Sequence, residues 1–198
     1  MDAAKITLSP EELSLVQDTH WLLTKNNIIE KTKLLFGSLA ASLQREVEDN
    51  HEKLPHAAHL FSPKIFKGEY YQGLPYVMLD YPRVFSRDEV FAMRTMFWWG
   101  NFFSVTLQLK GDYQQLYGPV LMQNIKQLME DDFYVSVSTD EWRHDFDAEN
   151  YERINQGNLD KALNGAFVKI AVRVPLSEWN DAEALVRKHQ VSLIRMLC

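Results

Sequence analysis

Two histidines three residues apart, His56 and His59, follow His51 and Glu52. These are the residue types that hold zinc or another transition metal. Such a site needs three or four ligands converging on one ion, and Pro55 interrupts any single helix that would present them together. A solvated loop accounts for the same residues without a metal. His144 lies between Arg143 and Asp145, in a stretch that also holds Asp140, Glu141, Asp147 and Glu149. A histidine beside carboxylates has the chemistry of a general base. An acidic, solvated helix end is the other reading of those charges.

The third set is Lys67, Glu69, Asp80, Arg83, Arg94 and Asn101, threaded through a run of aromatic residues. Residues 61–111 carry 13 of the 24 aromatic residues, so about a quarter of the length holds more than half of the rings. Core packing explains most of these rings, each contributing a few kcal/mol on burial. It explains the interleaved charges less well. A structural ion pair of Asp80 with Arg83 or Arg94 is one account. A polar constellation at the mouth of an aromatic-lined ligand pocket is the other.

The stretches Lys67-Gly68-Glu69-Tyr70-Tyr71-Gln72-Gly73-Leu74-Pro75-Tyr76, Leu79-Asp80-Tyr81-Pro82-Arg83 and Thr95-Met96-Phe97-Trp98-Trp99-Gly100-Asn101 resemble a family of uncharacterised bacterial proteins, a domain of unknown function. The resemblance is strongest over residues 60–110. It implies a standalone bacterial protein and supplies no catalytic residue, cofactor or substrate.

No dinucleotide-binding glycine fingerprint, P-loop, HExxH, GxSxG or CxxC pattern occurs, so no cofactor is expected. The net charge of −6 argues against a nucleic-acid surface, and short basic runs such as Lys31-Thr32-Lys33 read as solvated helix faces. The one cysteine, Cys198, excludes an intramolecular disulfide and fits a reducing compartment. Met1–Pro10 has no apolar leader core, and Met96–Val105 is too short to span a bilayer. A soluble, cytoplasmic protein without membrane contact is the expectation.

The elements that must position these residues suggest one α+β domain over 1–198, with a helical segment at about 10–49 and a sheet-containing remainder at about 61–198. Ser9-Pro10-Glu11-Glu12 is a capped helix start, and Asn26-Asn27 marks a break in the helical run to about residue 49. Ser86-Arg87-Asp88-Glu89 repeats the capping pattern and predicts a short helix to about Met93. Residues 96–109 alternate with period two and predict one long strand. A helix is expected over 119–130, a strand over 133–138, a helix over 147–164, a strand over 166–174 and a last helix from Ser177. About five strands in an antiparallel or mixed sheet follow. Ser104, Thr106, Gln108, Tyr134, Ser136, Ser138, Lys169 and Arg173 fall on the face read as outer.

Two functions fit these residues ahead of a third, a metal-dependent activity centred on His51, His56 and His59. The first is a non-enzymatic protein that binds a small molecule or a partner, a second copy included. The second is an acid–base enzyme acting on a small polar metabolite through Asp80, Arg83, Arg94, Glu69 or His144.

Overall fold

The structure is a computed structural model and describes residues 6–198; part of the Met1–Pro10 stretch read for a leader lies outside that range. Two helices open the chain, α1 (Pro10–Gln17) and α2 (Thr19–Asp49). Four strands follow a short 3-10 turn at His56–His59: β1 (Lys64–Tyr71), β2 (Leu74–Phe85), β3 (Val90–Trp98) and β4 (Phe102–Lys110). Next come α3 (Asp112–Gln123), α4 (Ile125–Glu130), β5 (Tyr134–Ser136), β6 (Tyr151–Arg153), α5 (Gln156–Leu163), β7 (Val168–Pro175) and α6 (Ala182–Leu197). The architecture is α+β.

The strands form one sheet in the order β1-β2-β3-β4-β7-β5-β6, and every neighbouring pair is antiparallel. The described sheet thus has seven strands, against about five expected. The short strand β6 and the division of the run at residues 96–109 into two strands supply the difference. The long run is a hairpin: β3 ends at Trp98, and β4 begins at Phe102. Gly100 adopts φ 73° in the turn, and the Asn101 amide donates to the Trp98 carbonyl. The three-residue turn preserves parity. Phe97 pairs with Phe103 and Trp98 with Phe102, so the alternation runs through the turn without a break.

Other boundaries also moved. Asp18, not Asn26-Asn27, separates the first two helices; its side chain caps Trp21 of α2. Ser86–Glu89 is the β2–β3 turn rather than a helix start. The Ser86 hydroxyl accepts from the Glu89 amide while the Ser86 amide donates to the Glu89 carbonyl. Pro119 sits inside α3, which starts at Asp112. Residues 147–150 form no helix, and the predicted helix over 147–164 splits into β6 and α5.

One face of the sheet carries Leu79, Met93, Phe97, Phe103, Val105, Leu107, Ile170 and Val172, all buried. Phe36, Leu39, Leu43 and Val47 of α2 and Val186, Leu193, Ile194 and Leu197 of α6 close it into one apolar core. The spacing of three and four along each helix gives it one apolar stripe. Fully burying side chains of this size contributes about 1.5–3 kcal/mol each. Among the described residues no helix is long and apolar enough to cross a membrane.

Candidate functional site

The opposite face of the sheet is polar in its middle. Antiparallel register places Asp80 opposite Arg94, Arg94 opposite Thr106 and Thr106 opposite Ala171, in one row across four strands. The neighbouring row holds Ala92, Gln108 and Lys169. Such a face would be solvated if left open. It is instead crossed by residues 137–150, a strap without regular secondary structure between β5 and β6.

Residue types explain how the strap stays down. Trp142 and Phe85 lie at 5.9 and 5.5 Å from the Arg94 guanidinium. Phe146 stacks on Tyr151 at 4.7 Å and meets Phe102 and Tyr134 edge-on. Met78, Met96, Trp98 and Phe102 form a second, smaller core beneath this end. Lys169 Nζ donates to the Glu141 carbonyl at 3.0 Å and to the Arg143 carbonyl. Glu141 in turn accepts from Gln108 at 2.9 Å and from Lys110 at 3.4 Å.

The Asp80–Arg94 pair is bidentate, with N···O distances of 2.7 and 2.9 Å, and Arg94 Nη1 stands 3.3 Å from His144 Nε2. Burial lowers the His144 pKa well below its usual value, and the charges of Lys169 and Arg94 push the same way. The neutral ring therefore accepts from Arg94. Burial, aided by the Arg94 charge, brings Lys169 down to about 7. For Asp145, burial raises the pKa, but hydrogen bonds from Arg143 and Tyr71 outweigh it and hold the carboxyl below its usual range. Asp80 pairs with Arg94 and Asp145 with Arg143, while His144 is neutral and Lys169 loses its proton near pH 7.

Tyr71 ties the strap to the hairpin of β1 and β2. Its hydroxyl accepts from the amides of His144 and Asp145, at 2.6 and 3.1 Å, and donates to Asp145 at 3.0 Å. Burial raises its pKa, so it stays protonated at neutral pH. Tyr71→Phe leaves two strap amides without this acceptor, and the expected cost is about 1–3 kcal/mol. Urea denaturation reads that loss, and faster hydrogen exchange at His144 and Asp145 locates it. Unchanged exchange at those two amides would sink the assignment of Tyr71 as the strap's tie.

The structure brings together only part of the residue set read from the sequence. Asp80, Arg94 and His144 meet. Arg83 does not join them. The ladder slips between Asp80 and Arg83, and Arg83 donates to the Ser62 carbonyl and lies 5.3 Å from the Phe61 ring. Glu69 stands on β1, where a 2.6 Å bond from Lys25 holds its carboxyl below the usual range; Lys67 is 3.5 Å from it. Asn101 is in the β3–β4 turn and donates to the Trp99 carbonyl. His51 and His59 have ring centroids 6.4 Å apart, and His56 is exposed. Among the described residues no group of three or more His, Cys, Asp or Glu is placed to hold a metal ion.

Lys169 and Tyr71, missing from the sequence-read candidates, complete the site with Asp145 and Glu141, which the sequence set beside His144. Much of the face read as outer is in fact covered, with Ser104, Thr106, Gln108, Ser136 and Lys169 buried, while Arg173 stays exposed. Only the two rings, Trp142 and Phe146, in an otherwise polar stretch signal a covering segment. A neutral lysine and a neutral histidine are the groups that Schiff-base and acid–base chemistry use. Here Lys169 is 0%, Asp80 5% and His144 8% exposed, so a reacting molecule meets none of them unless the strap lifts. A groove of about 240 Å³ opens beside the strap's first residues, lined by Ser136, Ser138, Asn158 and Lys161 among others, and holds none of these groups.

No family model, curated protein or solved structure matches the chain. The resemblance over residues 60–110 gains no support from those comparisons.

Proposed function

We propose that this protein is a non-enzymatic interaction protein whose partner surface is its N-terminal helical arm. The observation that carries this reading is an apolar stripe with nothing on it. The buried stripe of α2 starts at Ile29 and continues through Thr32, Phe36 and Leu39. One and two turns earlier it meets Lys25 and then Trp21 and Leu22, already beyond the body. Every described residue from Ile6 to Thr24 is exposed. Leu13 is exposed by 47%, Val16 by 69%, Trp21 by 49% and Leu23 by 65%. Contiguous exposed apolar surface of this kind marks an interaction site. The acid–base alternative is the weaker reading, because Asp80, Arg94 and His144 are bonded to one another under the strap, while Arg83 and Glu69 lie apart from them.

A nitroxide label tests the surface. It is placed at Leu23→Cys in a Cys198→Ser background, with Lys126→Cys as the control position. The label at position 23 is expected to be immobilised when a partner is present, whether that partner is the protein itself at rising concentration or a component of cell extract. The control label stays mobile. A position-23 label that is mobile under every condition refutes the reading.

A further inference from the structure

The arm leaves the body beside a groove. About 390 Å³ of space is lined by Ile28, Lys31, Phe97, Trp99, Leu176 and Trp179, at the root of the arm and across the β3–β4 turn. One molecule therefore offers both a protruding apolar helix and an apolar slot. Resting on the interaction reading above, we propose that the partner is a second copy of this chain, with two arms crossing antiparallel near Trp21 and each tip lying over the other copy's groove.

Three features favour a second copy. The first is closure. An arm and a slot on the same molecule satisfy each other through a two-fold axis, where each surface is used twice and nothing is left to propagate. The second is charge. The arm tip is acidic, with Glu11 and Glu12 in the first turn of α1 and no basic residue in its last turn. The root is basic, with Lys25, Lys31 and Lys33. Lys25 and Lys33 pair with Glu69 and Glu30 of their own chain. Lys31, on the lip of the groove, makes no such pair among the described residues. Antiparallel crossing near Trp21 brings the acidic tip of one arm, with Glu11, toward the basic root of the other, with Lys31. The third is area. Six large side chains about half exposed leave roughly 600 Å² on each copy, near the ~800 Å² that each partner of a standard interface buries. A lipid surface fits less well, because helices that lie on membranes carry Lys and Arg on their polar face.

Sedimentation velocity across a concentration series to about 100 μM tests this, with circular dichroism confirming the fold of each variant. The wild type is expected to form a dimer. Leu22→Glu with Leu23→Glu is expected to be monomeric at every concentration, with an unchanged body because neither residue touches the core. Glu11→Lys is expected to weaken the dimer about tenfold, and Glu11→Lys combined with Lys31→Glu to restore most of that loss. A wild type that stays monomeric overturns the proposal, as does a dimer that survives the two glutamates. Failure of the charge exchange to restore the dimer overturns the antiparallel crossing. If the position-23 label is immobilised only by cell extract, the interaction reading stands and the second copy is refuted.

Discussion

Arg94→Ala is expected to lower the free energy of unfolding by about 3–5 kcal/mol. A domain of ordinary stability has about 5–15 kcal/mol to lose, so this substitution brings the protein close to its limit. The cause is electrostatic. Asp80, with its side chain 7% exposed, receives both of its bonds from Arg94, and deletion leaves a buried carboxylate with no counter-charge. Phe85 and Trp142 also lose the guanidinium they flank, at about 0.5–1 kcal/mol each. Charge and packing separate in a second variant. Asp80→Leu with Arg94→Met removes both ions and fills the space, and pairs replaced in this way often come out neutral. The double variant is expected to recover to within about 2 kcal/mol of wild type by urea midpoint at unchanged slope. A double variant as unstable as the single one would mean that guanidinium packing, not pairing, holds the strap.

The same pair shows what the sequence carried and what it did not. Asp80 and Arg94 stood out as charges among rings, and antiparallel register made them neighbours. Their counterpart Arg83 looked equivalent but lies beyond the slip at Tyr81-Pro82, where Pro82 has no N–H to give the ladder. Period-two alternation identified the faces of β4 and of Met96–Trp98 correctly even though the hairpin was missed and the first half of β3 was read as a helix. A turn of three residues keeps odd positions on one face, so face assignment survives an error in strand count. Capping patterns were less reliable. Ser9–Glu12 caps a helix, and Ser86–Glu89, of the same type, closes a strand turn. A hydroxyl accepting an amide three residues on serves either structure, and only the partner strand decides. Lys169 was read as solvent-facing because alternation reports which face a side chain is on. Whether that face is open depends on a segment some thirty residues away in sequence.

Lys169 gives the second large effect, and its sign can be worked out. In the unfolded chain the amine keeps its ordinary value near 10.5; in the folded chain burial, then the Arg94 charge, brings it to about 7. Between these values the unfolded state holds a proton that the folded state has released, so stability rises with pH. The expected rise from about pH 7 to pH 10 is on the order of 3–4 kcal/mol for a shift of this size. Few other groups compete in that window. His144 and His189 are lowered below their usual values by burial and have finished titrating. Burial raises Tyr71, Tyr81 and Tyr117, the last to about 12, so they remove stability only above about pH 10. Cys198, also raised by burial, is taken out by a Cys198→Ser background. Hydrogen bonding permits the neutral form. An uncharged amine has two N–H groups, and the carbonyls of Glu141 and Arg143 accept both. Lys169→Met removes the titrating group at similar length and leaves those two carbonyls without their donor. Its urea midpoint is expected to stay flat from pH 7 to pH 10 while the wild type climbs, so the gap between the two proteins widens by about 3–4 kcal/mol across the window. Parallel curves would show that the lysine is charged in the folded state throughout. The strap would then rest on a buried cation, and the charge balance of the covered face would have to include it.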